Sequence, residues 1–154
     1  MTTFNPDEKR LIEHAKKQVV KYNKQRHSKG GIDTIYAFVM SDSGKIYDCA
    51  CLESDISAGI CAERLAIGKM ILNETYAAKV KIVVTFDPVP YEQKYASTPC
   101  GLCRHVIWER GEPNTIIICG QYIQQRGNWK FLPKMEKYKI SDLYPSPYKP
   151  VKWD

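Results

Sequence analysis

Ser97-Thr98-Pro99-Cys100-Gly101-Leu102-Cys103-Arg104 and Gly59-Ile60-Cys61-Ala62-Glu63-Arg64, read together, decide the fold. The first stretch carries two thiols spaced C-x-x-C. The second carries one thiol and, two residues on, a carboxylate. Three thiolates with one position left open describe a catalytic zinc site, because structural sites normally close with a fourth protein ligand. Glu63 is placed to take and return protons beside that metal.

Around these stretches the chain alternates between helical and extended patterns. Asn5-Pro6-Asp7-Glu8 is a helix start, with Asn5 as N-cap, proline at the first position and acids in the first turn. Leu11, Ile12, Ala15 and Val19 follow at helical spacing, and the helix fades near Gln25-Arg26. Residues 34–40 and 45–51 read as strands joined by the turn Ser41-Asp42-Ser43-Gly44. The spacing predicts a helix over 57–73 carrying Cys61 and Glu63 near its start, where the amides favour a thiolate. Residues 80–86 are nearly all apolar, as in a buried central strand. A Pro-broken loop leads to a second helix over 100–110. Strands follow over 115–119 and 129–132, the latter pair linked by a short polar stretch and therefore antiparallel. Residues 140–144 read as one helical turn. Three prolines exclude regular structure from about 145–154.

The order α-β-β-α-β-α-β-β suggests a mixed α/β sheet covered by helices on both faces. No repeat or linker interrupts it, so residues 1–154 are expected to form one domain. The 154 residues are enough for a real core, and 44% hydrophobic with 26% charged residues is ordinary for a soluble globular protein. No apolar run is long enough to span a bilayer, and the N-terminus lacks a signal-peptide pattern. A C-x-x-C without an export signal reads as metal chemistry in a reducing cytoplasm and not as a disulfide staple. The net charge of +6 lies largely on the first helix and the tail, and reads as a solvated face. No aromatic-basic cluster points to a polynucleotide.

Cys-Ala-Glu followed downstream by Pro-Cys-x-x-Cys resembles the cytidine deaminase superfamily, in its free-nucleoside branch with three cysteine ligands. The resemblance implies a three-layer α/β/α fold with a five-stranded mixed sheet whose last strand pair is antiparallel. It implies one zinc per chain on Cys61, Cys100 and Cys103, with Glu63 as the proton shuttle. Arg64 and Pro99 would support the ligands, Arg64 by hydrogen-bonding the thiolates. Ala62 would touch substrate, and the assembly would be a homotetramer. Cys49, Cys51 and Cys119 read as small buried hydrophobes. His14 and His27 read as surface residues, and His105 as lying at the surface or behind the ligands.

The resemblance is less complete at the substrate. Cytidine deaminases hold the ribose with an Asn-x-Glu pair, and counting back from Cys61 puts Ala50 and Leu52 at those positions. A one-residue shift offers Cys51 and Glu53 instead. Blasticidin S deaminases share the zinc motifs and close with an aromatic tail, a role open here to Tyr148 and Trp153. The expected activity is therefore hydrolytic deamination of a small amino-heterocycle or nucleoside, cytidine or deoxycytidine first. A blasticidin S-type substrate is the alternative. A non-catalytic zinc-containing binding module is the rival from another class, and Glu63 argues against it.

Overall fold

The computed structural model describes residues 2–89 and 96–148. Helix α1 (Pro6–His27) opens as expected. Asn5 Oδ1 accepts the Glu8 N–H at 2.9 Å, and Glu8 Oε2 accepts the Asn5 N–H at 3.0 Å, a reciprocal capping box. Glu8 is buried, and Lys137 Nζ meets its carboxylate at 2.7 Å.

Strands β1 (Tyr36–Ser41) and β2 (Ile46–Ala50) form a hairpin, and β3 (Val80–Pro88) pairs antiparallel with the other edge of β1. Between them runs α2 (Ala62–Asn73). Helix α3 (Gly101–Arg110) crosses from β3 to β4 (Ile116–Gln125), which lies parallel to β3. The sheet order is β2-β1-β3-β4, followed by β5 (Asn128–Phe131).

The expected antiparallel last pair is present, but the sheet has six strands where five were expected. Strand β6 (Glu136–Lys139) pairs with Ile116 to Cys119 of β4, while β5 pairs with the other half of the same strand. Two short strands thus share the fifth position. β4 can serve both because it continues through Gly120 and Gln121 to Gln125, where the sequence reading stopped at Cys119. Its hairpin turns at Arg126 and Gly127, whose φ values of 51° and 79° are those of a two-residue type I′ turn. The glycine at 120 is fixed by packing: a Cβ there would lie 2.5 Å from Phe86 Cε1. The short α4 (Ile140–Leu143) follows β6 directly.

Strand alternation sorts the apolar residues into two cores. Tyr36, Phe38, Met40, Ile82, Val84 and Phe86 face α1, meeting Leu11, Ile12, Ala15 and Val19. Val39, Val83, Ile117 and Cys119 face the other side, against Ala66, Ile67 and Met70 of α2, Ile107 of α3 and Ile140 of α4. The result is a three-layer α/β/α fold. Both motif-bearing helices lie on one face and start at the same end of the sheet.

Candidate metal centre and active site

Cys61 and Cys100 are the N-cap residues of α2 and α3, so each helix begins one residue after its cysteine. This corrects the expected start of the first of these helices: residues 57–60 are loop, with Ser57 at φ 61° and Ile60 bridging to Leu52. Both cysteines are extended, with φ −64° and ψ 146° and 167°. Their carbonyls open the helices by accepting the N–H groups of Leu65 at 3.4 Å and Arg104 at 2.8 Å. Their side chains thereby sit over two helix N-termini, whose free amides favour negative sulfur. Cys103, buried in the first turn of α3, completes the cluster.

The three Sγ atoms lie within 4.8 Å of one another, and Cys61 and Cys100 are 3.6 Å apart. A tetrahedral zinc about 2.3 Å from each sulfur would set sulfurs about 3.8 Å apart. The donor set and its spacing therefore fit zinc. Burial raises the Cys100 thiol pKa, but N–H groups of Cys103 and Leu102 and the Cys103 and Cys61 thiols outweigh it and hold the value below normal. Cys103 moves the other way, raised by burial and by the Glu63 charge. The Arg64 guanidinium faces Cys61 and Cys103, which raise its pKa, and its Nε is buried without a partner.

A pocket of about 190 Å³ opens on this cluster, lined by Cys61, Cys100 and Glu63 together with Cys51, Thr85 and Asp87, among others. Glu63 is 6% exposed. Burial pushes its carboxyl above the usual carboxylate range and Asp87 adds to this. Its own N–H, the Cys103 thiol and Arg64 oppose the shift. Asp87 is raised by burial too, against two hydrogen bonds from Ser97.

Sequence reasoning passed over part of this lining. The sequence leads one to expect Cys51 as a buried hydrophobe. It lines the pocket, held there by its N–H to Ile35 O at 3.0 Å, and it accepts the Ala62 N–H. Burial pushes its thiol up to about 11. Ala50, counted as a sugar-binding position, packs on the α1 side of the sheet, and Leu52 is 53% exposed. Glu53 accepts the Thr34 hydroxyl at 2.7 Å and lies 3.9 Å from Arg26, outside the pocket lining. Asp87 and Thr85 were hidden inside an apolar strand. The available signal was an acid at the carboxyl end of a central strand, where ligands of α/β sheets gather.

Arg104 ends the second motif, in the first turn of α3. Its guanidinium binds Pro99 O at 2.7 Å, Thr98 Oγ1 at 2.7 Å and Leu143 O at 3.2 Å, pinning the loop that presents Cys100. His105 Nδ1 lies 3.1 Å from Tyr144 Oη and belongs to an aromatic group with Trp108. Tyr148 joins this group, 67% exposed and outside the pocket lining. Trp153 lies outside the described residues.

Solved structures share this fold. Cytidine deaminase from Burkholderia pseudomallei matches with a TM-score of 0.57 at 17% identity, over 86% of this chain and 98% of its own. The enzyme from Bacillus anthracis matches with 0.53 at 16%, over 84% and 86%. That from Mycobacterium tuberculosis matches with 0.51 at 17%, over 75% and 79%. No protein-family model and no curated protein matches the chain. The chain carries the cytidine deaminase fold.

Proposed function

We propose that the protein is a zinc-dependent hydrolytic deaminase that replaces the exocyclic amine of a small, cytidine-like heterocycle with a carbonyl, releasing ammonia. One observation carries the reading: a buried carboxylate, Glu63, lines one pocket with Cys61 and Cys100, two of three sulfurs at zinc spacing. Zinc, when bound, brings a water to near-neutral pKa and polarises the attacked carbon.

The protein's own residues supply the rest. Cys61, Cys100 and Cys103 hold the ion, and the two helix N-termini and Arg64 offset their negative charge. Glu63 takes the proton of the attacking water, passes it to the ring nitrogen and returns one to the departing amine. Its raised pKa suits both directions of transfer. Ala62, expected to touch substrate, is fully buried outside the pocket lining, and its N–H instead holds the Cys51 sulfur in the pocket wall. Water is consumed and one ammonia is formed per amine lost.

Ala50 and Leu52 provide no sugar-binding pair at the pocket. This favours loose discrimination on the sugar, or a substrate such as blasticidin S or another amino-heterocycle. We further propose a cytoplasmic homotetramer. Exposed Leu52, Ile56 and Leu102 beside the site motifs, 53%, 84% and 65% exposed, are apolar surface that neighbouring copies would cover. Light scattering that shows only monomer at micromolar concentration would refute that assembly. No helix among the described residues is long and apolar enough to cross a membrane.

The deciding experiment is an ammonia-release screen over cytidine, deoxycytidine, cytosine, blasticidin S, guanine and further amino-heterocycles. Turnover of at least one is expected. Failure on all of them, by zinc-loaded protein, would favour a binding module.

A further inference from the structure

Strand β3 delivers two polar side chains to the pocket. Phe86 points into the core under α1, so Thr85 and Asp87 share the opposite face, toward the metal cluster. Asp87 is 5% exposed. Its Oδ2 accepts the Ser97 N–H at 2.8 Å, and the Ser97 hydroxyl supplies a second hydrogen bond. No lysine, arginine or histidine among the described residues forms an ion pair with it. A carboxylate offers about four acceptor positions, so capacity remains after Ser97 is served.

Thr85, 2% exposed, lines the same wall, and its hydroxyl is hydrogen-bonded to the Cys119 sulfur. Buried hydroxyls and carboxylates are normally satisfied. Asp87, buried, lining a small pocket and bonded only to Ser97 among the described residues, is an acceptor with capacity for a further donor.

We propose that Asp87 is a specificity-determining residue that accepts a hydrogen bond from a second N–H donor on the substrate ring. The pocket then prefers a diamino- or amidine-type heterocycle to one that carries a carbonyl on the corresponding edge. The proposal rests on the deaminase reading and names its substrate class. Beyond the amine to be hydrolysed, a cytosine ring substituted at N1, as in a nucleoside, offers a ring nitrogen and a carbonyl oxygen, both acceptors. A buried carboxylate repels acceptors and binds donors. Replacing that carbonyl by an amino group turns the mismatch into a charge-assisted pair. If Asp87 served only to anchor Ser97, this preference would not exist.

The test compares 1-methylcytosine, which has no second N–H donor, with 2,4-diaminopyrimidine on zinc-loaded wild type and on Asp87→Asn. Asparagine keeps an acceptor oxygen for the Ser97 N–H but loses the charge. Wild type is expected to favour the diamine in kcat/KM on the order of 10–10²-fold. In Asp87→Asn that ratio falls below about threefold, through a raised KM for the diamine with kcat little changed and zinc content unaltered. A ratio unchanged in Asp87→Asn, or a wild type that favours 1-methylcytosine, would overturn the proposal. Should the variant fail to fold, the wild-type ratio alone decides in the same way. Should wild type deaminate no heterocycle at all, the deaminase reading falls, and calorimetry with 2,4-diaminopyrimidine judges Asp87 separately. Tighter binding to wild type than to Asp87→Asn would support the donor-binding role, and equal binding would overturn it.

Discussion

Tyr122→Phe removes one buried oxygen and tests how the sheet is tied to the segment that borders the site. The Tyr122 ring is fully buried, with ring centroids 6.5 Å from Tyr36 and 6.2 Å from Phe131. Phenylalanine keeps that packing. The hydroxyl joins residues 88 positions apart: it accepts the Thr34 N–H at 3.1 Å and donates to Thr34 O at 2.6 Å. Thr34 is 4% exposed, so both backbone groups would lose their partner away from water. A buried polar group left unsatisfied costs about 1–3 kcal/mol. Two such groups, with partial relaxation, give a loss of about 2–5 kcal/mol. For a chain of this size that lowers Tm by about 5–15 °C. Urea unfolding followed by circular dichroism measures it, with an unchanged m-value showing that the same surface is exposed. A loss under about 0.5 kcal/mol, the level of an ordinary surface substitution, would refute the reasoning.

Alkaline pH should destabilise the fold through Tyr36. Burial pushes its phenol up to about 12, although Arg26 opposes this, and its hydroxyl donates to Asn23 Oδ1 at 2.8 Å. The unfolded phenol loses its proton near pH 10, before the folded one. Stability is therefore whole below about pH 10 and falls between about 10 and 12 by up to about 1.4 kcal/mol per pH unit. Tyr36→Phe should flatten that part of the profile, and parallel curves would contradict the assignment. Arg104→Ala should free the Thr98-Pro99 loop and weaken zinc affinity about 10–100-fold, the usual cost of losing support behind a metal ligand. Competition with a chelator measures this, and unchanged affinity would show that the loop holds without the clamp.

Much of the fold was legible because its patterns were strong. Apolar, β-branched runs became β1, β3 and the first half of β4, and the capping residues Asn5 and Glu8 fixed the start of α1. Strand β6 escaped because Glu136, Lys137 and Lys139 bring no apolar face to a half-exposed edge. The outer half of β4 escaped because Gln121, Gln124 and Gln125 read as a polar link. At the site, the cysteines and Glu63 were legible because their spacing is local, set by two helix starts. The pocket wall was not. Counting back from Cys61 chose Ala50 and Leu52, yet strand alternation directs Cys51 toward the pocket and Ala50 into the α1 core. Asp87 joins Glu63 only through the β1–β3 and α2 packing, a long-range relation that no spacing in the sequence encodes.

The most direct test is zinc content measured beside turnover in Glu63→Ala. The account predicts about one zinc per chain in wild type and variant alike, with ammonia release lost in the variant by on the order of 10²–10⁴-fold or more. A variant that has lost its zinc, or one that keeps full turnover with zinc bound, would contradict the assignment of Glu63 as a proton shuttle beside a three-cysteine site.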